Sequence, residues 1–310
     1  MNKIANLERI LCPVAESHET DEGLHYAIAL ARSYGAGLSV LTCTVESSPI
    51  GAKGVADLRL AISRAVEHSV IAFPGIANNA PLDWKLIVVD NSRPAEAIVR
   101  EAEAKNIDLI VMGSRRRPYA AKLLGSTAES VTRTAPCPVL VTRSGGSRSS
   151  VVAIRNIDFG KVLVATDFSE DSENALRHGL SLAQEYQSEL HLLHVISNSA
   201  KIETDIEWTS TSEGPYHDAA RRLHESVPAE AHLWSSVTHA VRQGNRPYRE
   251  IVSYAVEKEI DLICIGAHGK GFRLGSLFGS NTDRVLRESP CPVLVVRPLR
   301  SVNSAVQTEA

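Results

Sequence analysis

Residues 266–281 read GAHGKGFRLGSLFGSN, with glycine at 266, 269, 271, 275 and 279 and a serine directly after the last. The apolar run IDLICI (260–265) leads into the stretch. Glycine lets the main chain approach a ligand closely and adopt positive φ. A helix that starts at Gly279 would add unpaired N–H groups and partial positive charge, which suit a phosphate. Ser280 would place a hydroxyl in that first turn, and Lys270 offers an ammonium. His268 could donate to a phosphate or point to solvent. The chemistry on offer is an anion cradle built mostly from backbone; the plainer alternative is a tight turn. No GxxxxGK[ST] loop occurs, and the dinucleotide fingerprint would require its glycines after the first strand of the fold.

The elements that position this stretch are written twice in the chain. IDLIVMG (107–113) recurs as IDLICIG (260–266), and APCPVLVTR (135–143) as SPCPVLVVR (289–297). RPAEAIV (93–99) answers RPYREIV (246–252), and RILCPVA (9–15) answers KVLVATD (161–167). The order is the same in both halves, which indicates a tandem duplication with domains at 1–143 and 157–298. Residues 144–156 read as a linker and 299–310 as a tail. In the second half the patterns predict strands at 161–166, 189–196, 231–241, 261–266 and 292–297. Helices are expected at 171–186, 212–226, 247–259 and 279–288. Strands alternating with helices imply βαβ units and parallel sheets covered on both faces. The continuous apolar runs KVLVA, DLICI and PVLVV fit strands buried on both sides.

Composition narrows the classes. The chain has 310 residues, 44% hydrophobic and 22% charged, with a net charge of −3. That balance gives no general pull toward nucleic acid or an anionic membrane. No apolar stretch is long enough to span a bilayer, and the start of the chain lacks a signal-peptide pattern, so a cytoplasmic protein is expected. The five cysteines form no CxxC pair and read as buried free thiols. His191 and His194 share a strand but have no third partner for a metal. SGGSRS (144–149) has a phosphate-loop look but follows the last strand of its half. No Ser/His/Asp set can be argued from spacing.

The pattern Gly266-x2-Gly269-x9-Gly279-Ser280 resembles the nucleotide-binding signature of the universal stress protein family. VATDFSEDSENAL, LHLLHV and DRVLRESPCPVLVVR resemble other segments of that family, in order. The resemblance spans nearly the whole chain, as in tandem members. It implies two α/β domains of the adenine nucleotide alpha hydrolase-like class, each with an open parallel five-stranded sheet in the order 3-2-1-4-5. It also implies ATP as ligand, with Mg2+ held by the phosphates. Asp167 matches the family's adenosine-contacting aspartate, Val195 the position whose backbone reads adenine, and Gly244 the loop near the ribose. Gly266, Gly269, Gly279 and Ser280 match the phosphate loop, with His268 between them. In the bottom-up reading Asp167 could instead be a helix N-cap or turn residue.

The first half departs from this pattern. Its loop, GSRRRPYAAKLLGST (113–127), keeps Gly113 and Gly125-Ser126 but has Arg116 for the middle glycine and is one residue shorter. Ala15 stands where Asp167 stands, and Cys43 where Val195 stands. Arg115, Arg116 and Arg117 are either a solvated basic loop or a site for another anion. Glu16, next to Ala15, is displaced by one residue from the aspartate's place. One ATP per chain is therefore expected, in a stress-response or regulatory protein. The competing function is an ATP hydrolase or nucleotidyl-transfer enzyme, slow at best for want of an obvious base other than His268. The last strands of the two halves fall at sheet edges, where exposed apolar strands need cover. They are expected to pair with each other as an intramolecular pseudo-dimer, and a homodimer of two chains stays open.

Overall fold

A computed structural model describes residues 7–15, 22–44, 52–72, 81–91, 93–114, 124–143, 157, 159–197, 214–270 and 279–297. The strands of the first half are β1 (Arg9–Val14), β2 (Gly37–Thr44), β3 (Trp84–Asp90), β4 (Leu109–Ser114) and β5 (Val139–Arg143). Its helices are α1 (Glu22–Tyr34), α2 (Ala52–Ala72), α3 (Pro94–Ala104) and α4 (Ser126–Thr134). The second half repeats the pattern with β6 (Lys161–Thr166), α5 (Glu170–Tyr186), β7 (Glu189–Ile196), α6 (Pro215–Ser226), β8 (Val237–Gln243), α7 (Pro247–Glu257), β9 (Leu262–Gly266), α8 (Ser280–Glu288) and β10 (Val293–Val296).

Local chemistry sets several of these boundaries. Ser169 caps α5: its hydroxyl accepts from Ser172 N–H, and the Ser172 hydroxyl accepts from Ser169 N–H. This reciprocal pair satisfies donors that the first helical turn leaves open. Helices α3 and α7 both begin at proline, which needs no N–H partner there. The expected strand at 231–241 is a 3-10 turn at Ala229–Leu233 followed by β8 from Val237. Pro228 starts that turn, and its carbonyl accepts from Ala231 N–H. The small and apolar residues that mimic strand alternation there serve a turn instead.

The order 3-2-1-4-5 holds within each half, but the two expected sheets are one. The ten strands run β3-β2-β1-β4-β5-β10-β9-β6-β7-β8. All pairs are parallel except β5–β10, which is antiparallel with Val139 opposite Val295, Leu140 opposite Leu294 and Val141 opposite Val293. The reason is physical: both last strands are short, apolar edges, and pairing removes both from solvent. The sheet's outer strands are β3 and β8. On one face the join is flanked by Tyr34, whose hydroxyl meets Ser181 Oγ at 3.1 Å, and by Phe159, edge-on to Tyr186 at 5.0 Å. On the other face Arg287 of α8 reaches Glu129 of α4 at 3.1 Å, beside Arg287–Asp283 at 2.9 Å within α8 and Arg133–Glu129 at 2.8 Å within α4. The linker 144–156 with SGGSRS, the tail 299–310 and Glu16 lie outside the described residues.

Helix α5 sits on the sheet through Gly179. A Cβ at 179 would lie 2.5 Å from Val164 Cγ2, and Val164 is fully buried with a β-branched side chain that has little freedom to turn. Gly179→Ala is expected to destabilise the fold by about 1–3 kcal/mol, the usual range for overpacking, although alanine is the better helix former. Thermal and urea unfolding would check this; unchanged or raised stability would show that α5 can lift without cost.

Candidate functional site

Strands β6 and β9 are neighbours in the sheet, while their connections run to opposite faces. A crevice therefore opens beyond their carboxyl ends, the place where open α/β sheets hold ligands. It is a cleft of about 440 Å3, within the size range of small-molecule sites. Asp167, Val195, Gly266, His268, Gly269, Gly279 and Ser280 all line it. Gly244 does not stand among the described residues that form its walls. It lies in the turn from β8 to α7, where its N–H donates to Ile196 O, and Pro247 forms that part of the wall. Val195 and Ile251 give the cleft an apolar side, and the glycine stretch gives it a polar one.

Asp167 ties the two sides together. Its Oδ1 accepts from Ser169 N–H at 3.1 Å and Ser169 Oγ at 2.5 Å, and its Oδ2 accepts from Lys270 N–H at 2.8 Å. Burial pushes its carboxyl toward a higher pKa. The bonds from Ser169, Lys270 and Ser172 outweigh this and hold it below the usual aspartate value. Asp167 is thus an ionised turn residue and not the helix cap, which is Ser169. A Cβ at Gly269 would lie 2.5 Å from Asp167 Oδ2, so the carboxylate occupies the space that a side chain at 269 would need. The two positions are coupled, and the first half carries the reciprocal pair, Ala15 with Arg116.

Gly266 has a different task. A Cβ there would meet backbone and Cβ atoms of Asp171 at 2.8 Å, so its absence lets the first turn of α5 dock on the end of β9. Docking brings Asp171 to His268: Asp171 Oδ2 accepts from His268 N–H and lies 2.9 Å from Nδ1. Asp171 gives no local signal in the sequence, because its partner is 97 residues away. Across the cleft α8 begins at Gly279, which offers no side chain to cap the helix. The N–H groups of Ser280, Asn281 and Thr282 thus open the helix toward the cleft. Thr282 Oγ1 donates to Gly266 O at 2.8 Å and fixes the start of α8 against β9.

Phe168 was also missed in the sequence. It follows Asp167 with φ 59°, an uncommon conformation for a non-glycine residue. Its ring packs 4.6 Å from that of His194, and the guanidinium of Arg222 lies 3.9 Å over its face. The two strand histidines diverge: His194 turns to Phe168 and Thr166 O, and buried His191 meets the Tyr254 hydroxyl at 2.9 Å. In the first half β4 ends at Ser114, and Arg115–Arg117 lie outside the described residues. Gly125 precedes α4 there, and among the described residues nothing lies within 4 Å of where its Cβ would be, unlike at Gly279. Cys12, Cys137, Cys264 and Cys291 are buried and Cys43 is half-buried, and none of the five is in a disulfide. Burial pushes the Cys137 thiol up to about 12, so it stays protonated.

Sheet order, covered faces and a switch-point cleft with an uncapped helix terminus define an open α/β protein built in duplicate. The chain belongs to the universal stress protein family, which matches residues 6–143 and again 158–297. A universal stress protein of Mycolicibacterium smegmatis is 25% identical over 303 residues, covering 93% of this chain and 97% of that one. The crystal structure of a universal stress protein from Archaeoglobus fulgidus matches with a TM-score of 0.62 at 22% identity, covering 93% of this chain and 98% of its own. A universal stress protein solved in complex with cAMP is 24% identical, covers 45% of this chain and 98% of its own, and has a TM-score of 0.35. No helix among the described residues is long and apolar enough to cross a membrane.

Proposed function

We propose that the chain is a cytoplasmic stress-response or regulatory protein that holds one ATP in its second half. The observation that carries this reading is the pairing, across one cleft, of the uncapped start of α8 with a glycine segment pinned by Asp167. The first supplies N–H groups for phosphate, and at Gly269 the second presents backbone with no side chain to the cleft. The apolar side at Val195 and Ile251 suits a base. Asp167 and Val195 stand at the nucleoside end, and Gly266, His268, Gly269, Gly279 and Ser280 at the phosphate end. Gly244 takes part only through the turn that carries Pro247. Mg2+ would ride on the phosphates. The family matches support two domains, at 1–143 and 157–298, and the antiparallel β5–β10 pair supports an internal dimer of the two.

Asp167→Ala tests the site. Removing the carboxylate takes the acceptor from Lys270 N–H, leaves Ser169 N–H with the Ser172 hydroxyl alone, and frees the glycine segment. A buried donor left unpaired costs about 1–3 kcal/mol. ATP affinity measured by calorimetry is expected to fall by about 5- to 150-fold, with the variant still folded. A variant that binds ATP as the parent does would remove Asp167 from the site.

A further inference from the structure

We propose that His224, His232 and His239 form an acid-operated latch: neutral, they hold the end of α6 and the 3-10 turn after it on the outer strand β8, and protonated, they release that segment. The latch does not depend on what the cleft holds.

Three elements bring the rings together. His224 lies in the last turn of α6, His232 in the 3-10 turn Ala229–Leu233 and His239 on β8. Their ring centroids form a closed triangle: 5.5 Å between His224 and His239, 6.3 Å between His224 and His232, and 6.4 Å between His232 and His239. His224 and His232 are exposed, whereas Nε2 of His239 is buried and has no hydrogen-bond partner among the described residues. A neutral imidazole keeps one nitrogen bare, which suits that place. An imidazolium carries N–H on both nitrogens, and the one at Nε2 would lack an acceptor.

The other charged groups on these elements are engaged elsewhere or exposed. On α6, Arg221 pairs with Asp218 and with Glu225 at 2.9 Å, Arg222 lies over Phe168, and exposed His217 packs on Tyr216. Glu230 of the turn is exposed, and Arg242 of β8 pairs with Glu257. On β7, Leu192 is the register partner of His239, His194 is bonded to Thr166 O, and His191 turns to Tyr254. Burial, and then the charges of His224 and His232, hold His239 below the ordinary histidine value. A histidine displaced in this direction adds stability that is complete above that ordinary value of about 6.5 and is lost as the pH falls through its folded value. The latch is thus closed at neutral pH and opens in acid.

The release is local. β8 is an outer strand, and the segment is anchored by buried Leu223, Val227 and Ala231 at that end of the sheet. Such an edge opens at less cost than the core strands. Opening also draws Arg222 off the ring of Phe168, which follows Asp167 of the cleft wall.

Hydrogen exchange of the full chain, read by mass spectrometry at about pH 7.5 and about pH 5, tests the latch. EDTA is present throughout, and rates are corrected for the intrinsic effect of pH. Relative to β6 and β9, the amides of 215–237 should exchange at least about fivefold faster in acid, the low end of couplings between sites. His239→Gln cannot take up the proton and should keep the segment protected at both pH values. His224→Lys, at an exposed position, fixes a charge beside His239 and should open the segment already at neutral pH. Equal protection of the parent at the two pH values would overturn the proposal, and so would acid opening of His239→Gln to the parental extent. If His239→Gln also loses the protection of β6 and β9, and so fails to fold, His224→Lys decides: a segment still closed at neutral pH overturns the latch.

Discussion

Replacing Leu140 and Leu294 together by aspartate is expected to split the ten-stranded sheet at its centre. The two leucines are register partners across the antiparallel β5–β10 join, and they are 2% and 3% exposed. Burial of one such side chain stabilises the fold by about 1.5–3 kcal/mol. The double change removes two and places two like charges opposite each other in an apolar layer. The loss should exceed about 5 kcal/mol, a large part of the margin of an ordinary domain. Small-angle scattering should show an expanded particle, and a hydrophobic dye should bind newly exposed strand edges. Substitution at an outer strand, such as Val88→Asp on β3, should leave the shape unchanged, because Val88 is 43% exposed. A compact double variant with no dye binding would mean that the α1–α5 and α4–α8 contacts hold the halves together without the strand join.

Much of this architecture is legible in the sequence because the chain is duplicated. The paired segments around IDLIVMG and IDLICIG place β4 and β9, and PVLVTR and PVLVVR place β5 and β10. Both copies check each other, so the bounds of β6, β7, β9 and β10 follow within a residue, while the strand order within each half came from the resemblance to the universal stress protein family. The merger of two sheets into one is not written locally. An apolar last strand announces only that it needs cover, and whether that cover comes from its own chain depends on contacts such as Tyr34–Ser181 that no periodicity encodes. The 3-10 turn at Ala229–Leu233 was hidden because the alternation of Ala229, Ala231 and Leu233 with Glu230 and His232 satisfies a strand and a tight turn alike. In the site, seven of the eight residues chosen from the sequence meet in one cleft, and Gly244 stands outside it. The link between Asp167 and Gly269 was readable: both differ between the halves, as Ala15 and Arg116. The geometry gives the cause, since the carboxylate fills the place of a Cβ. The contact of Asp171 with His268 was not readable, because it depends on how closely α5 docks against Gly266.

That coupling sets the second large effect. In Gly269→Arg the new Cβ collides with Asp167 Oδ2, and the carboxylate must give up its bond to Lys270 N–H or its bonds to Ser169. The arginine side chain then lies across a cleft of about 440 Å3 that was walled by backbone at this point. Site geometry and free space are lost together, so ATP affinity should fall by more than about 1,000-fold. The double variant Asp167→Ala with Gly269→Arg reproduces the pair found in the first half. It removes the collision and should recover the thermal stability that the single variant loses. It should not recover binding, because the space stays filled and the carboxylate is gone.

Equilibrium dialysis with labelled ATP tests the central claim most directly, on the parent chain and on Gly269→Arg side by side. One ATP per parent chain and none per variant chain, with the variant folded, is the predicted result. Two equivalent sites in the parent, or one site that survives in the variant, would place the nucleotide somewhere other than the cleft of the second half.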